Sequence, residues 1–235
     1  MINNIRYALL FRLGALVFAL TGLLKQIGVF QGSIRLGAFM YYTTLSNMLA
    51  IILFAILSAH TIHSFREKAR NKKERYSRFE MACVVNLLVT FIVFWTLLVP
   101  QGISADYLWT FENLAVHAVT PLLCFIDFIL FAEAWRLKYR DIYYTTIFPL
   151  LYAAFATVAG FAGYIYYYID PSGNPIDHAA ANSIPVRFPY FFLDYDQIGA
   201  MVGVYMIVIL LAVLLLSHGI YYGSRKLQKP RSRNE

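Results

Sequence analysis

The chain has 235 residues, of which 60% are hydrophobic and only 14% charged, with a formal net charge of +7. That composition excludes an ordinary soluble globular domain and fits a chain solvated by a bilayer. The Lys and Arg excess falls in short segments between apolar runs, so it reads as membrane topology and not as a nucleic-acid footprint.

Apolar runs able to cross the roughly 30 Å hydrocarbon layer lie near residues 7–24, 36–60, 79–99, 112–134, 144–169 and 198–222. They predict an all-α bundle of six transmembrane helices, a single integral-membrane domain over residues 1–235. The first run has the look of a signal peptide, but Arg12 and Lys25 and the lack of a small-residue cleavage site argue for a retained span. Arg66, Lys68, Arg70, Lys72, Lys73, Arg75 and Arg78 form the strongest basic segment; Arg136, Lys138, Arg140 and the tail from Arg225 repeat it. By the positive-inside rule all three segments and both termini are expected in the cytoplasm, in a multi-pass protein of the cell membrane. The connection 100–111, with no Lys or Arg, and the acidic connection 170–196 then face outward.

That last connection carries Pro171, Pro175, Pro185 and Pro189, which forbid a long helix, and an aromatic cluster too apolar to stay in water. It is expected to fold back on the bundle as a cap. Tyr164, Tyr166, Tyr167 and Tyr168 before it fit an interfacial belt, and Gly160 and Gly163 a close-packing site in span five. Cys83 and Cys124 both lie inside apolar runs and read as buried thiols. His60, His63 and His218 sit at inner helix ends, where dipole and interfacial roles suffice. No metal or cofactor is expected: there is no CxxC pair, HExxH, P-loop, GxGxxG or GxSxG.

Polar side chains at membrane depth are costly and are the first place to look for function. In span two Thr43, Ser46, Asn47 and Ala50 recur on one helical face. In span four Asn113, His117, Thr120, Cys124 and Asp127 share one arc. Thr43 and His117 both lie about five residues inside the outer boundary, at a similar depth of roughly 8–10 Å by helical rise. Periodicity alone does not establish that the two faces meet, and a membrane threonine often only bonds its own helix backbone. Asp127 lies about 15 Å of helix below His117, too far to orient it, and at the level of Arg12 and Asn86. An Arg12–Asp127 ion pair is expected as a structural element. Pro121 should kink span four and free a carbonyl near His117.

Three segments, Tyr41-Tyr42-Thr43-Thr44-Leu45-Ser46-Asn47, His117-Ala118-Val119-Thr120-Pro121 running to Asp127, and Phe188-Pro189-Tyr190-Phe191-Phe192-Leu193-Asp194, resemble a known family. It is the prokaryotic six-span branch related to the eukaryotic androgen-induced and androgen-dependent hydrolases. The eukaryotic branch cleaves fatty-acid esters of hydroxy fatty acids with an intramembrane threonine nucleophile and a histidine base. The resemblance implies Thr43 and His117 for those roles. The span-four segment lacks the double histidine of the eukaryotic motif.

The two readings carried forward are an intramembrane lipid-ester hydrolase and a non-enzymatic transporter or receptor for a small amphipathic ligand in the same pocket. A neutral imidazole within about 3 Å would activate the hydroxyl. Asn47, Ser46, Asn113 and, from the cap, Asp194 are the candidates to bind substrate, orient His117 or stabilise an oxyanion. Membrane lipids and a fatty-acid ester or other amphiphile are the expected partners; the oligomeric state is not legible.

Overall fold

The computed structural model describes residues 5–66, 77–132, 134–172, 174–176 and 178–227. Most of the basic connection before Arg78, and the tail beyond Leu227, lie outside the described residues. Six helices are long and apolar enough to cross a bilayer: Ile5–Gln26, Tyr42–Ser64, Ser77–Gln101, Phe111–Phe131, Tyr139–Phe161 and Met201–Leu227, spans one to six. The chain is a polytopic membrane protein built as an all-α bundle.

The centre of the bundle is made by spans two, three and four, with 44–50% of their apolar windows buried against 17% for span six. Span one turns a face of Ala8, Arg12, Ala15, Ala19 and Gly22 inward. Small side chains let its backbone approach closely where no hydrophobic force drives helices together. A Cβ on Gly22 would lie 2.5 Å from that of Ala115 in span four.

Span boundaries depart from the hydrophobic runs where the backbone overrides composition. Span two starts at Tyr42, because Leu36–Met40 is a separate 3-10 turn and Tyr41 is extended. Span five ends at Phe161, eight residues before its apolar run does. Gly163 adopts φ +88° and the Tyr164 N–H reaches back to the Ala159 carbonyl at 2.9 Å, a left-handed helix stop that glycine supplies without strain. Gly160 is the close-packing residue of the two: a Cβ there would meet the Phe188 ring at 2.3 Å.

Beyond that stop the chain forms the expected cap. A small antiparallel sheet places β1 (Tyr167–Ile169) between β2 (Pro175–Ile176) and β3 (Ile184–Val186). Val186, Phe188, Phe192 and Leu193 are buried beneath it, fixing the cap to the ends of spans five and six. Arg187 pairs both oxygens of Asp196, which holds the Asp196 carboxyl below its ordinary range.

Candidate functional site

The first turn of span two lies under the cap, and its polar side chains are bonded across the bundle. The Tyr42 hydroxyl donates to Asn86 Oδ1 in span three at 2.6 Å, and Asn86 Nδ2 donates to the Thr145 carbonyl at 3.4 Å. Thr145 in turn shares a 2.7 Å hydroxyl bond with Ser217 of span six. The Ser46 hydroxyl meets that of Thr90 at 2.9 Å and lies 3.0 Å from the Thr43 carbonyl. Asn47 spends both amide hydrogens on carbonyls, Thr43 O at 2.8 Å and Val116 O at 3.0 Å. Asn47 therefore holds the backbones of Thr43 and of the residue before His117 in one clamp, and has no amide hydrogen left for an oxyanion.

Span four is wound unusually at this level. Ala115–Val119 forms a π turn, and so does Phe94–Leu98 in span three. Such turns insert where a helix is being re-aimed, often at functional sites. Pro121 cannot donate to the His117 carbonyl four residues back, and the Trp95 indole N–H takes that carbonyl instead at 3.3 Å. The carbonyl expected to be freed by Pro121 is thus the fastening between spans three and four. The His117 ring is 6% exposed and lies face-on to Phe94, centroids 3.6 Å apart and planes 15° apart. Its Nδ1 is buried without a hydrogen-bond partner among the described residues. Asn113 is buried one turn before it, with Nδ2 donating to the Leu108 carbonyl at 2.9 Å and Oδ1 without a partner among the described residues.

A cavity of about 60 Å³ opens against this region. Spans two, three, five and six and the cap wall it, chiefly with Val89, Val93, Phe94, Leu98, Ala153, Phe192, Met206 and Ile209. Its polar groups come from Tyr42, Thr43, Thr90, Tyr152 and Tyr190. That volume holds a few waters or a short stretch of hydrocarbon chain. Thr43 lines it and His117 does not; the face of Phe94 that the imidazole stacks on belongs to a wall residue. The sequence placed Thr43 and His117 at one level. Among the described residues no hydrogen bond joins their side chains; the link is through Asn47, Val116 and Phe94.

Tyr152 and Tyr190 were not singled out as site residues from sequence. The Tyr152 hydroxyl donates to the Met40 carbonyl at 3.1 Å, and its ring packs on those of Tyr42 and Tyr190 at 5.1 and 6.3 Å. The Tyr190 hydroxyl faces the hydroxyls of Thr43 and Tyr152 and the backbone at Tyr42 and Thr43. Burial holds its phenol above the ordinary tyrosine range, and hydrogen bonding from Thr43 and the backbone offsets part of the rise. The signal that could have found it is its place in the Phe188–Asp194 segment, directly behind Pro189, on a cap that must fold over Thr43.

The remaining candidates have structural partners. Asp194 is buried and accepts the backbone N–H groups of Asp196 and Gln197 at 3.0 and 3.2 Å, so its carboxylate caps the short turn Tyr195–Ile198 and stands as an acceptor, not an oxyanion donor. Arg12 and Asp127 meet in the opposite half of the bundle: Nε donates to Oδ1 at 3.0 Å, and Arg12 Nη1 donates to Thr61 Oγ1 at 2.9 Å. Among the described residues no three His, Cys, Asp or Glu side chains converge where a metal would sit. Compared with protein-family models, with curated proteins and with solved structures, the chain matches none.

Proposed function

We propose that the chain is an intramembrane hydrolase of a lipid ester, with Thr43 as nucleophile and His117 as general base. The observation that carries this reading is the placement of the Thr43 hydroxyl on the wall of an apolar cavity, in the first turn of span two, with a buried imidazole at the same level of span four. Asn47 ties the two backbones together, and the His117 Nδ1 is buried without a hydrogen-bond partner among the described residues. The capped end is taken as the outer half of a cell membrane, as the charge asymmetry of the connections suggests. The ester carbonyl is attacked by Thr43 Oγ while His117 takes the hydroxyl proton. The tetrahedral adduct collapses, the proton passes to the departing alkoxide, and water then cleaves the acyl-threonine by the reverse sequence of roles. The backbone N–H groups of Tyr42 and Thr43 stand at the positive end of the span-two dipole and face the Tyr190 hydroxyl, and they are the candidate oxyanion donors. Productive contact requires His117 and Thr43 to close on one another when substrate fills the cavity. Catalytic hydrogen bonds commonly tighten only in that complex.

The stacked imidazole favours one second reading, a binding protein for an amphiphile in which His117 packs the wall and takes no proton. Kinetics separates the two. If Thr43 and His117 act as a unit, Thr43→Ala, His117→Ala and the double variant lose nearly the same ester hydrolysis, and Thr43→Ser keeps part of it. Independent, multiplying losses would point to two residues that merely shape a pocket.

A further inference from the structure

The cavity has walls from spans five and six, through Pro149, Tyr152, Ala153, Met206 and Ile209. Span six packs on the first turns of span five, Tyr139–Thr146, where Thr145 bonds Ser217, but among the described residues it does not pack closely on the rest of span five, Ile147–Phe161. Ile147–Phe161 is held by the cap and by the first turns of span five; span six is held by span three, by those same first turns, by the 3-10 turn Ala134–Arg136 and by the cap. Between Ile147–Phe161 and span six lies a loosely packed seam with cavity residues on both sides and exposed apolar side chains beside them in sequence, Leu150, Leu151, Ile207 and Val208. At the capped end of the cavity three hydroxyls gather, from Thr43, Tyr152 and Tyr190. Tyr152 has already spent its proton on the Met40 carbonyl. The Tyr190 phenol has a ring packed between Tyr41 and Tyr152, centroids 6.1 and 6.3 Å away, and stacked on Phe192 at 5.1 Å, so its hydroxyl is held in one place.

We infer that an amphiphile reaches the cavity from the bilayer through the seam between spans five and six, and that Tyr190, delivered by the cap, donates the hydrogen bond that holds its carbonyl beside Thr43. Tyr190 touches the reacting group and so is a catalytic residue on the hydrolase reading, on which the donor role rests; the seam and the cavity do not depend on it. Donation requires a neutral phenol, and burial keeps the proton on at physiological pH. An apolar wall accounts for affinity toward the chain, and one fixed donor sets the chain's direction, with its carbonyl at the capped end.

Two photoreactive probes test this on the full-length protein in nanodiscs: palmitate methyl ester with a diazirine at the chain end, and a hydrocarbon of the same length with the same diazirine. The ester adduct is expected on the peptides holding Pro149–Ala153 and Met206–Ile209. Tyr190→Phe should lower ester capture roughly three- to tenfold, the worth of one hydrogen bond, and leave hydrocarbon capture unchanged. Ala153→Trp, which fills the cavity at the seam, should lower both, and Tyr166→Phe, outside the cavity, neither. A Tyr190→Phe protein with an unchanged ester-to-hydrocarbon ratio, or adducts spread evenly over the lipid-facing side chains, would overturn the inference. Capture as described by a protein that hydrolyses no ester would leave the site standing and remove the hydrolase reading. Hydrolysis that Tyr190→Phe leaves untouched would do the opposite.

Discussion

The ion pair in the half of the bundle away from the cap gives the sharpest energetic expectation. Arg12 and Asp127 are 1% and 3% exposed, and their side chains meet at 3.0 Å. Removing one partner of a buried pair costs about 3–5 kcal/mol, because the other charge is left at low dielectric. The two single losses should not be equal. Asp127→Asn leaves a guanidinium that cannot give up its proton and keeps its bond to Thr61, so it should be the costlier of the two losses. Arg12→Met leaves a carboxylate that escapes part of the penalty by taking a proton, and should cost less. The double variant should be destabilised by less than Asp127→Asn alone, with a coupling of roughly 2–3 kcal/mol. SDS-titration unfolding of the four proteins in mixed micelles measures the cycle. Additive losses would show that the geometry carries no energetic coupling, and would make Asp127 a functional candidate.

Three further outcomes follow from single contacts. Tyr42→Phe strands Asn86 Oδ1, which now accepts at 2.6 Å, and should cost about 1–3 kcal/mol in the same unfolding assay. Gly160→Ala sets a Cβ 2.3 Å from the Phe188 ring and 2.8 Å from the Arg187 carbonyl, so the cap must lift; about 1–3 kcal/mol of stability and much of the cap's resistance to protease should be lost. The Asp196 carboxyl is held low by Arg187, so its contribution is present above the unfolded aspartate pKa of about 3.9 and is lost as pH falls through the lower folded value. Thermal denaturation against pH should therefore show an acid-side decline that is shallower in Asp196→Asn.

Much of the bundle is legible without coordinates because the bilayer leaves few options. Runs of about twenty apolar residues have to be helices, and two charges at one depth, Arg12 and Asp127, have to find each other. Helix ends are less legible. Gly163 stops span five inside its apolar run, and Tyr41 stays extended at the start of span two, although Leu36–Met40 is as apolar as the helix it adjoins. Helical rise placed Thr43 and His117 at one level, but rise carries no azimuth. The π turns at Phe94–Leu98 and Ala115–Val119 rotate the faces in a way that a regular period misses. Tyr190 was hidden for another reason: among 18 tyrosines, an aromatic belt and a cavity-lining phenol have the same local sequence, and only the fold of the cap distinguishes them.

The central claim is that Thr43 attacks a carbonyl with help from His117. Its most direct test is covalent: incubation of the purified protein with a lipid-like fluorophosphonate, followed by peptide mass spectrometry. The account predicts a stoichiometric adduct on Thr43, none in Thr43→Ala, and a rate of formation reduced about a hundredfold or more in His117→Ala, the usual worth of a positioned general base. A well-folded His117→Ala protein that labels and hydrolyses as fast as wild type, or an adduct on any other hydroxyl, would contradict it.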